Sequence, residues 1–372
     1  MARYHVRRLI LAASIVVLLL TVVTTVVASA SAHARRLLQQ PVVSREFSVS
    51  ARDNAWSPAI SGKFVVWEHL QPGGRLRNDI VGKDLMTGRT FIVAAGTVAN
   101  SPVISGRLVV WDDCRYCKVT RDAMGYYIIH NVKIYGKDLV TGREFLIASP
   151  ADATPSPAIS GQIVVWQDIC KGQPCIYGKN VATGREFVIS RHRAAPSQVA
   201  ISGRIVIWMD NRNGVVGIYG KNLSTGQTFL IVPSKEVGAN LRDPKISGHI
   251  VLWTDWDVDR ADQPACIYAR DLSTGHEFHV ATIPYGHFNP QLGPSTALDG
   301  NLVVWDEVAH LSSRAPNYDI YGKNLLAGPS FRITQDIHNQ QAPAISGTTV
   351  VWEDSRRGGQ YIYGAVLSLS AT

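Results

Sequence analysis

The sequence predicts an all-β fold, a seven-bladed β-propeller with four antiparallel strands per blade. Three observations predict it. A unit typified by Ser-Pro-Ala-Ile-Ser-Gly-Lys-Phe-Val-Val-Trp at Ser57–Trp67 recurs along the chain. Its glycine returns at Gly106, Gly161, Gly203, Gly248, Gly300 and Gly347, each followed five residues later by Trp111, Trp166, Trp208, Trp253, Trp305 and Trp352. Seven units at intervals of 42 to 55 residues point to a propeller or a solenoid. Each unit also holds four short β-branched or aromatic runs separated by Gly turns, which is one propeller blade. Finally, a fourth-strand segment stands ahead of the first unit, and the last unit lacks one.

Taken in order, residues 1–34 read as a targeting segment. Arg3, Arg7 and Arg8 precede nineteen uncharged residues, Leu9 to Val27. Ala28-Ser29-Ala30 and Ala32-His33-Ala34 are small-x-small cleavage candidates, and the apolar run is also long enough to serve as an uncleaved anchor. Both readings export the rest of the chain. Residues 35–44 are expected to be a linker and 45–372 the propeller.

In each unit strand A is x-Pro-x-Ile-Ser-Gly. Strand B is the apolar run ending in Trp, such as Leu108 to Trp111. It is apolar at nearly every position, as a sheet buried on both faces requires. Strand C is Ile-Tyr-Gly-Lys-Asp/Asn-Leu, as in Ile134–Leu139, closing on Thr141-Gly142. Strand D is Arg-Glu-Phe-Leu-Ile-Ala, as in Arg143–Ala148. The surplus D motif, Arg45–Ser50, is expected to complete the last blade, whose chain runs out after strand C at Leu369. Such a latch removes the open edge the ring would otherwise present.

The net charge is +8. The basic residues are spread along the repeats with no basic run or basic helix, so nucleic-acid binding is not expected. Five Cys suit an oxidising compartment. Cys170 and Cys175 flank a hairpin loop and are expected to form a disulfide. Cys114 and Cys117 are close enough in sequence for a small loop disulfide. They lack the second ligand pair of a zinc site. Cys266 is left over and is expected to be a buried free thiol.

The string Ser-Pro-x-Ile-Ser-Gly-x-x-Val-Val-Trp-x-Asp followed by Ile-Tyr-Gly-Lys-Asp-Leu-x-Thr-Gly resembles the TolB-like propeller repeats of secreted and cell-surface microbial proteins, over residues 45 to 369. TolB itself has six blades and an extra N-terminal domain, so the resemblance implies the repeat and not a Tol-system role.

Two residues after each Trp stand His69, Asp113, Asp168, Asp210, Asp255, Glu307 and Asp354. An acidic residue repeated in nearly every blade is expected to accept hydrogen bonds from loop N–H groups. The repeated Tyr of strand C, with Val81 in the first unit, is expected to fill space between blades. No nucleophile elbow, metalloprotease helix or phosphate loop occurs, and no cofactor is expected. Asp255, Asp257 and Asp259 alternate as in the start of a calcium loop, but Arg260 and Cys266 depart from that pattern. His192, His287 and His310 fall in expected loops and leave a metal-dependent polysaccharide lyase as the alternative function.

The tight spacings, Gly to Trp and Ile to Thr-Gly, do not vary. The Trp-to-Ile spacing runs from 10 to 23 residues and the Thr-Gly to next-Gly spacing from 18 to 25. All length variation thus falls in the B–C and D–A loops, which leave an antiparallel blade on one face. Long loops on a rigid scaffold are where binding groups collect. The candidate binding face comprises Tyr116, Tyr126, Tyr127, His130, Trp256, Asp257, Asp259, Arg260, Tyr285, His287 and Phe288, read as exposed aromatic and charged groups. The expected protein is an exported, monomeric binding or scaffold module for a protein or polysaccharide partner, meeting a membrane only through its N-terminal segment.

Overall fold

The computed structural model describes residues 41–369 except 72–76, 97, 122–126, 152–154, 192–195, 213, 234–240, 257–262, 285, 289–292 and 311–316. Seven four-stranded antiparallel sheets form the ring, and no helix occurs among the described residues. Strands A to D of blade 1 are Ala55–Ser61, Phe64–Leu70, Asn78–Asp84 and Thr90–Ala94. Those of blade 2 are Ala99–Ser105, Leu108–Asp113, Lys133–Asp138 and Glu144–Ala148. Blade 3 has Ala158–Ser160, Ile163–Cys170, Gln173–Asn180 and Glu186–Arg191, and blade 4 has Ser197–Ser202, Ile205–Arg212, Val215–Asn222 and Thr228–Pro233. Blade 5 has Leu241–Ser247, Ile250–Asp255, Ala265–Asp271 and Glu277–Ile283, and blade 6 has Thr296–Asp299, Leu302–His310, Asn317–Asn324 and Ala327–Arg332. Blade 7 has Gln340–Ser346, Thr349–Asp354 and Tyr361–Leu369, with Pro41–Ser48 as its fourth strand.

That fourth strand is the expected latch. Arg45 pairs with Val366, Glu46 with Ala365, Phe47 with Gly364 and Ser48 with Tyr363. The Val49 and Ser50 N–H groups donate to the Ile362 carbonyl at 2.8 and 3.0 Å. The Ile362 N–H donates to Ser50 Oγ at 2.9 Å. The strand reaches back to Pro41, opposite Leu369, so residues 41–44 belong to the ring and not to a linker.

The A strands of successive blades adjoin one another around the axis. The core lies between blades. One cluster joins Ile207, Met209, Ile218 and Ile231 of blade 4 to Leu241, Val251 and Trp253 of blade 5. Strand B is therefore buried on both faces, which is why its sequence does not alternate.

Each repeated motif residue has a bond to make. At the A–B turn, the glycines adopt positive φ of 55 to 59°, a region glycine enters without steric cost. Their N–H groups tie each blade to the one before: Gly62 to Ser346 Oγ at 3.0 Å; Gly106, Gly161, Gly203, Gly248 and Gly300 to Ser61, Ser105, Ser160, Ser202 and Ser247 at 2.9 Å; and Gly347 to Asp299 at 2.6 Å. The Ser-Gly pair is thus an inter-blade ring. In strand C the glycine makes room for strand D: a Cβ on Gly82 would lie 2.4 Å from the Phe91 ring. The following lysine reaches the previous blade's strand D, as with Lys83 Nζ to Val49 O at 3.0 Å and Lys221 Nζ to Ile189 O at 2.9 Å.

The turns of one end are stapled together. Leu85 N–H donates to Lys63 O at 2.8 Å, joining the C–D turn to the A–B turn, and Leu139–Arg107, Val181–Gln162 and Leu223–Arg204 repeat the bond. The B–C and D–A loops occupy the opposite end, as the spacing predicts.

Candidate functional site

The long-loop end of blades 2, 3, 4, 6 and 7 is organised by the strand-B Trp. Its indole N–H donates to the carboxylate two residues later: Trp111 to Asp113 at 3.0 Å, Trp166 to Asp168 at 3.1 Å, Trp208 to Asp210 at 3.2 Å, Trp305 to Glu307 at 3.1 Å and Trp352 to Asp354 at 2.8 Å. The same carboxylates accept loop N–H groups, as from Arg115 to Asp113 at 2.8 Å and Arg356 to Asp354 at 2.9 Å. Arg115, Arg212 and Arg356 also lie over Tyr135, Tyr219 and Tyr363. This ring is structural, as expected, and the indole is a partner the sequence reading missed.

The next-door ring is different. One residue after the Trp stand Glu68, Asp112, Gln167, Met209, Thr254, Asp306 and Glu353. Because blade 7 adjoins blade 1, the four carboxylates form one unbroken arc across blades 6, 7, 1 and 2. Three of them hold the next blade's strand A. Ser101 N–H donates to Glu68 at 2.7 Å, Ala342 to Asp306 at 3.0 Å and Ser57 to Glu353 at 2.7 Å. Each donor precedes a proline, lies where the strand pairing slips, and has a left-handed φ: 52°, 50° and 50°. A non-glycine residue there stores strain, held by the charged acceptor. Where Met209 replaces the carboxylate, Gln198 Oε1 accepts from Asp243 N–H at 2.7 Å instead.

Burial pushes all four carboxyls up. Glu68 is raised, Asp306 reaches about 6, and Asp112 and Glu353 about 7. Mutual repulsion adds to burial: Glu68 acts on Asp112, and Asp306 and Glu68 act on Glu353. Asp112 Oδ1 is buried without a hydrogen-bond partner. The arc can accept protons, ammonium groups or hydroxyl donors near neutral pH. Trp56, 41% exposed, lies directly opposite Glu68 in the strand pairing and offers an open aromatic face beside it.

The residues singled out in the sequence divide into three groups. Tyr116 is 65% exposed with Lys133 Nζ 5.3 Å above its ring. Nearby, Lys118–Arg121 and Tyr127–His130 pair as a two-stranded ribbon, and exposed His130 bonds Thr120 Oγ1 at 2.8 Å. Trp256 and Phe288 correct the expectation of exposure: both are only 4% exposed, their rings 5.7 Å apart. Both belong to a core cluster with Leu252, Ala265, Ile283 and Trp305. A Cβ on Gly293 would lie 2.4 Å from the Trp256 indole, so chain closes over it. His287 is half-buried and fixed to Val308 O at 2.8 Å. Tyr126, Asp257, Asp259, Arg260, Tyr285 and His192 lie outside the described residues, and with them most of the calcium candidate at Asp255. His310 ends strand B of blade 6. Among the described residues no three His, Cys, Asp or Glu side chains converge as metal ligands.

The Cys170–Cys175 disulfide closes the blade-3 hairpin, and Cys114 is joined to Cys117. Cys266 is free but half-exposed, 3.8 Å from Thr282 Oγ1, and not buried as expected. In its strand Ala265 and Ile267 take the buried positions and leave Cys266 the other face.

No protein-family model and no curated protein matches the chain. Its solved neighbours include propellers. An oligogalacturonate lyase from Vibrio parahaemolyticus aligns with a TM-score of 0.58 at 12% identity, covering 88% of this chain and 98% of its own. The propeller domain of the Trilobed protease from Pyrococcus furiosus aligns with a TM-score of 0.61 at 12% identity, covering 86% and 98%. A putative TolB from Agrobacterium tumefaciens aligns with a TM-score of 0.45 at 16% identity, covering 64% and 88%. The likeness concerns the fold, and a seven-bladed ring fits the TolB-like repeat reading.

Proposed function

We propose that the chain is an extracytoplasmic binding module that grips a protein or glycan partner through its long-loop face. The observation that supports this most is the division of labour between the two adjacent rings. The ring two residues after Trp bonds within its own blade almost all the way round. The ring one residue after Trp is acidic in four contiguous blades only, at the mouth of the variable loops; three of these carboxylates also hold the next blade's strand A, and the fourth, Asp112, keeps a buried oxygen without a partner. Structural needs recur in every blade; a ligand does not. The carboxylates favour partners that donate hydrogen bonds or carry positive charge, and Trp56 and Tyr116 supply stacking surface. A polyanion is disfavoured there. Export is supported by the N-terminal segment and by two disulfides.

A carbohydrate-active enzyme is the second reading. Asp112 and Glu353, raised to about 7, have the proton affinity of a general acid working near neutral pH. A neutral and amino-sugar glycan array, followed by reducing-end and unsaturated-product assays on every glycan bound, separates the two. Binding without turnover supports the module. Turnover lost in Asp112→Asn or Glu353→Gln supports the enzyme. No binding to glycans, together with no protein captured from the extracytoplasmic fraction, overturns both.

A further inference from the structure

The tight-turn face collects charges that the sequence scatters. The residue after the A–B glycine is Lys63 in blade 1, Arg107 in blade 2 and Arg204 in blade 4. The residue after the C–D glycine is Arg89, Arg143 and Arg185 in blades 1 to 3, and Arg45 holds the equivalent place in the latch. All seven are exposed. The A–B and C–D turns are stapled together at one end of every blade. Residues a blade apart in sequence therefore return to one face. The expectation of basicity without a patch is corrected: the period of the repeat turns a dispersed charge into a crescent over blades 7, 1, 2, 3 and 4.

Two inter-blade clefts show its form. Between blades 3 and 4, Arg185, Arg204 and Lys221 line one cleft of about 450 Å³. Between blades 7 and 1, Arg45, Lys63 and Lys83 line another of about 450 Å³. Lys63 is matched by Asp84 at 2.8 Å and Arg107 by Asp138 at 2.9 Å. Among the described residues no carboxylate pairs with Arg185 or Arg204. Met86 and Val140 stand exposed at the tips of the same turns, next to the cations.

The N-terminal segment leaves from this same face. The latch strand runs past the level of the turns, where Leu367 N–H meets Thr348 O, to Pro41 opposite Leu369. Only residues 28–40, which include Arg35 and Arg36, separate it from the uncharged run Leu9–Val27. Fully extended, they span about 45 Å. We infer that the tight-turn face docks on the anionic surface of the membrane that carries the N-terminal segment, with phosphate headgroups in the basic clefts and Met86 and Val140 in the interface. The long-loop mouth then points away from the bilayer, free for a partner. This inference is independent of what that mouth binds.

The test uses the full chain in nanodiscs of phosphatidylcholine alone or with phosphatidylglycerol, followed by hydrogen exchange of the C–D and A–B turns. Anionic discs should slow exchange of the turns around Met86, Val140 and Thr183 by about tenfold, and raised salt should reverse this. Arg185→Glu with Arg204→Glu should abolish the protection without moving the melting temperature, since both side chains are exposed. Equal exchange in the two discs overturns the proposal. So does protection of the ribbon around His130 instead. Equal protection by double-stranded DNA or heparin in neutral discs overturns the assignment to a lipid surface.

Discussion

The two ends of this propeller are made by the same repeat and gather opposite kinds of ionisable group. At the tight-turn end, spacing is invariant, seven inter-blade bonds close a ring, and Arg and Lys gather over blades 7 to 4. At the long-loop end, spacing drifts and buried carboxylates gather over blades 6 to 2. The difference teaches how to read a repeat protein. Positions filled alike in nearly every blade, such as Ser61-Gly62 and its copies, serve the scaffold. Positions that change character over a run of neighbouring blades report something outside the repeat.

The comparison breaks altogether if the scaffold fails. Deleting residues 41–50 removes a strand, exposes the edge of Tyr361–Leu369 and strips Val49 from the blade-7/blade-1 core. The expected loss is about 5 kcal/mol or more, read as a calorimetric melting temperature lowered by ten degrees or more. An unchanged melting temperature would show the ring does not depend on its latch.

Within the long-loop end, burial separates scaffold from candidate contact. Trp256→Ala should cost about 3–5 kcal/mol, while Tyr116→Ala stays within about 0.5 kcal/mol. Chemical denaturation of the two variants side by side reads the contrast, and equal effects would erase it.

The acidic arc makes stability depend on pH in a definite sense. Burial holds Asp112 and Glu353 at about 7 in the folded chain, above the ordinary 3.8 and 4.5 of these carboxyls. Folding therefore favours their protonated forms. Their contribution is complete below pH about 4 and is lost as the pH rises to about 7, by about 4 kcal/mol for Asp112 and about 3 kcal/mol for Glu353. Asp112→Asn, which stays neutral, should remove its share of this slope and be more stable than wild type at pH 8. A variant less stable than wild type at pH 8 would mean the charged form is well accommodated. Smallest is the Cys170–Cys175 bridge. So short a loop restrains the unfolded chain by at most about 2 kcal/mol, and reduction should loosen the hairpin while leaving the ring folded.

The repeat, the blade count, the latch and the face that carries loop variation were legible because each follows from spacing. So was the Cys170–Cys175 pairing, which needs only a hairpin. The arc was not. Glu68, Asp112, Asp306 and Glu353 stand next to a louder, regular ring, and blades 7 and 1 become neighbours only when the chain closes. The basic crescent escaped for the same reason: Arg89, Arg143 and Arg185 are far apart in sequence and share a face only in the ring. Trp256 and Phe288 misled because a long insertion can bury aromatics of its own, and loop length alone does not distinguish a lid from a contact surface.

We propose that partner recognition lies at the long-loop mouth and not at the basic face. The most direct test applies one glycan array and one extracytoplasmic partner capture to three full-length proteins: wild type, the triple variant Asp112→Asn, Glu353→Gln, Tyr116→Ala, and the pair Arg185→Glu, Arg204→Glu. Ligand capture should be lost in the first variant and kept in the second. Capture kept in the first and lost in the second would contradict it.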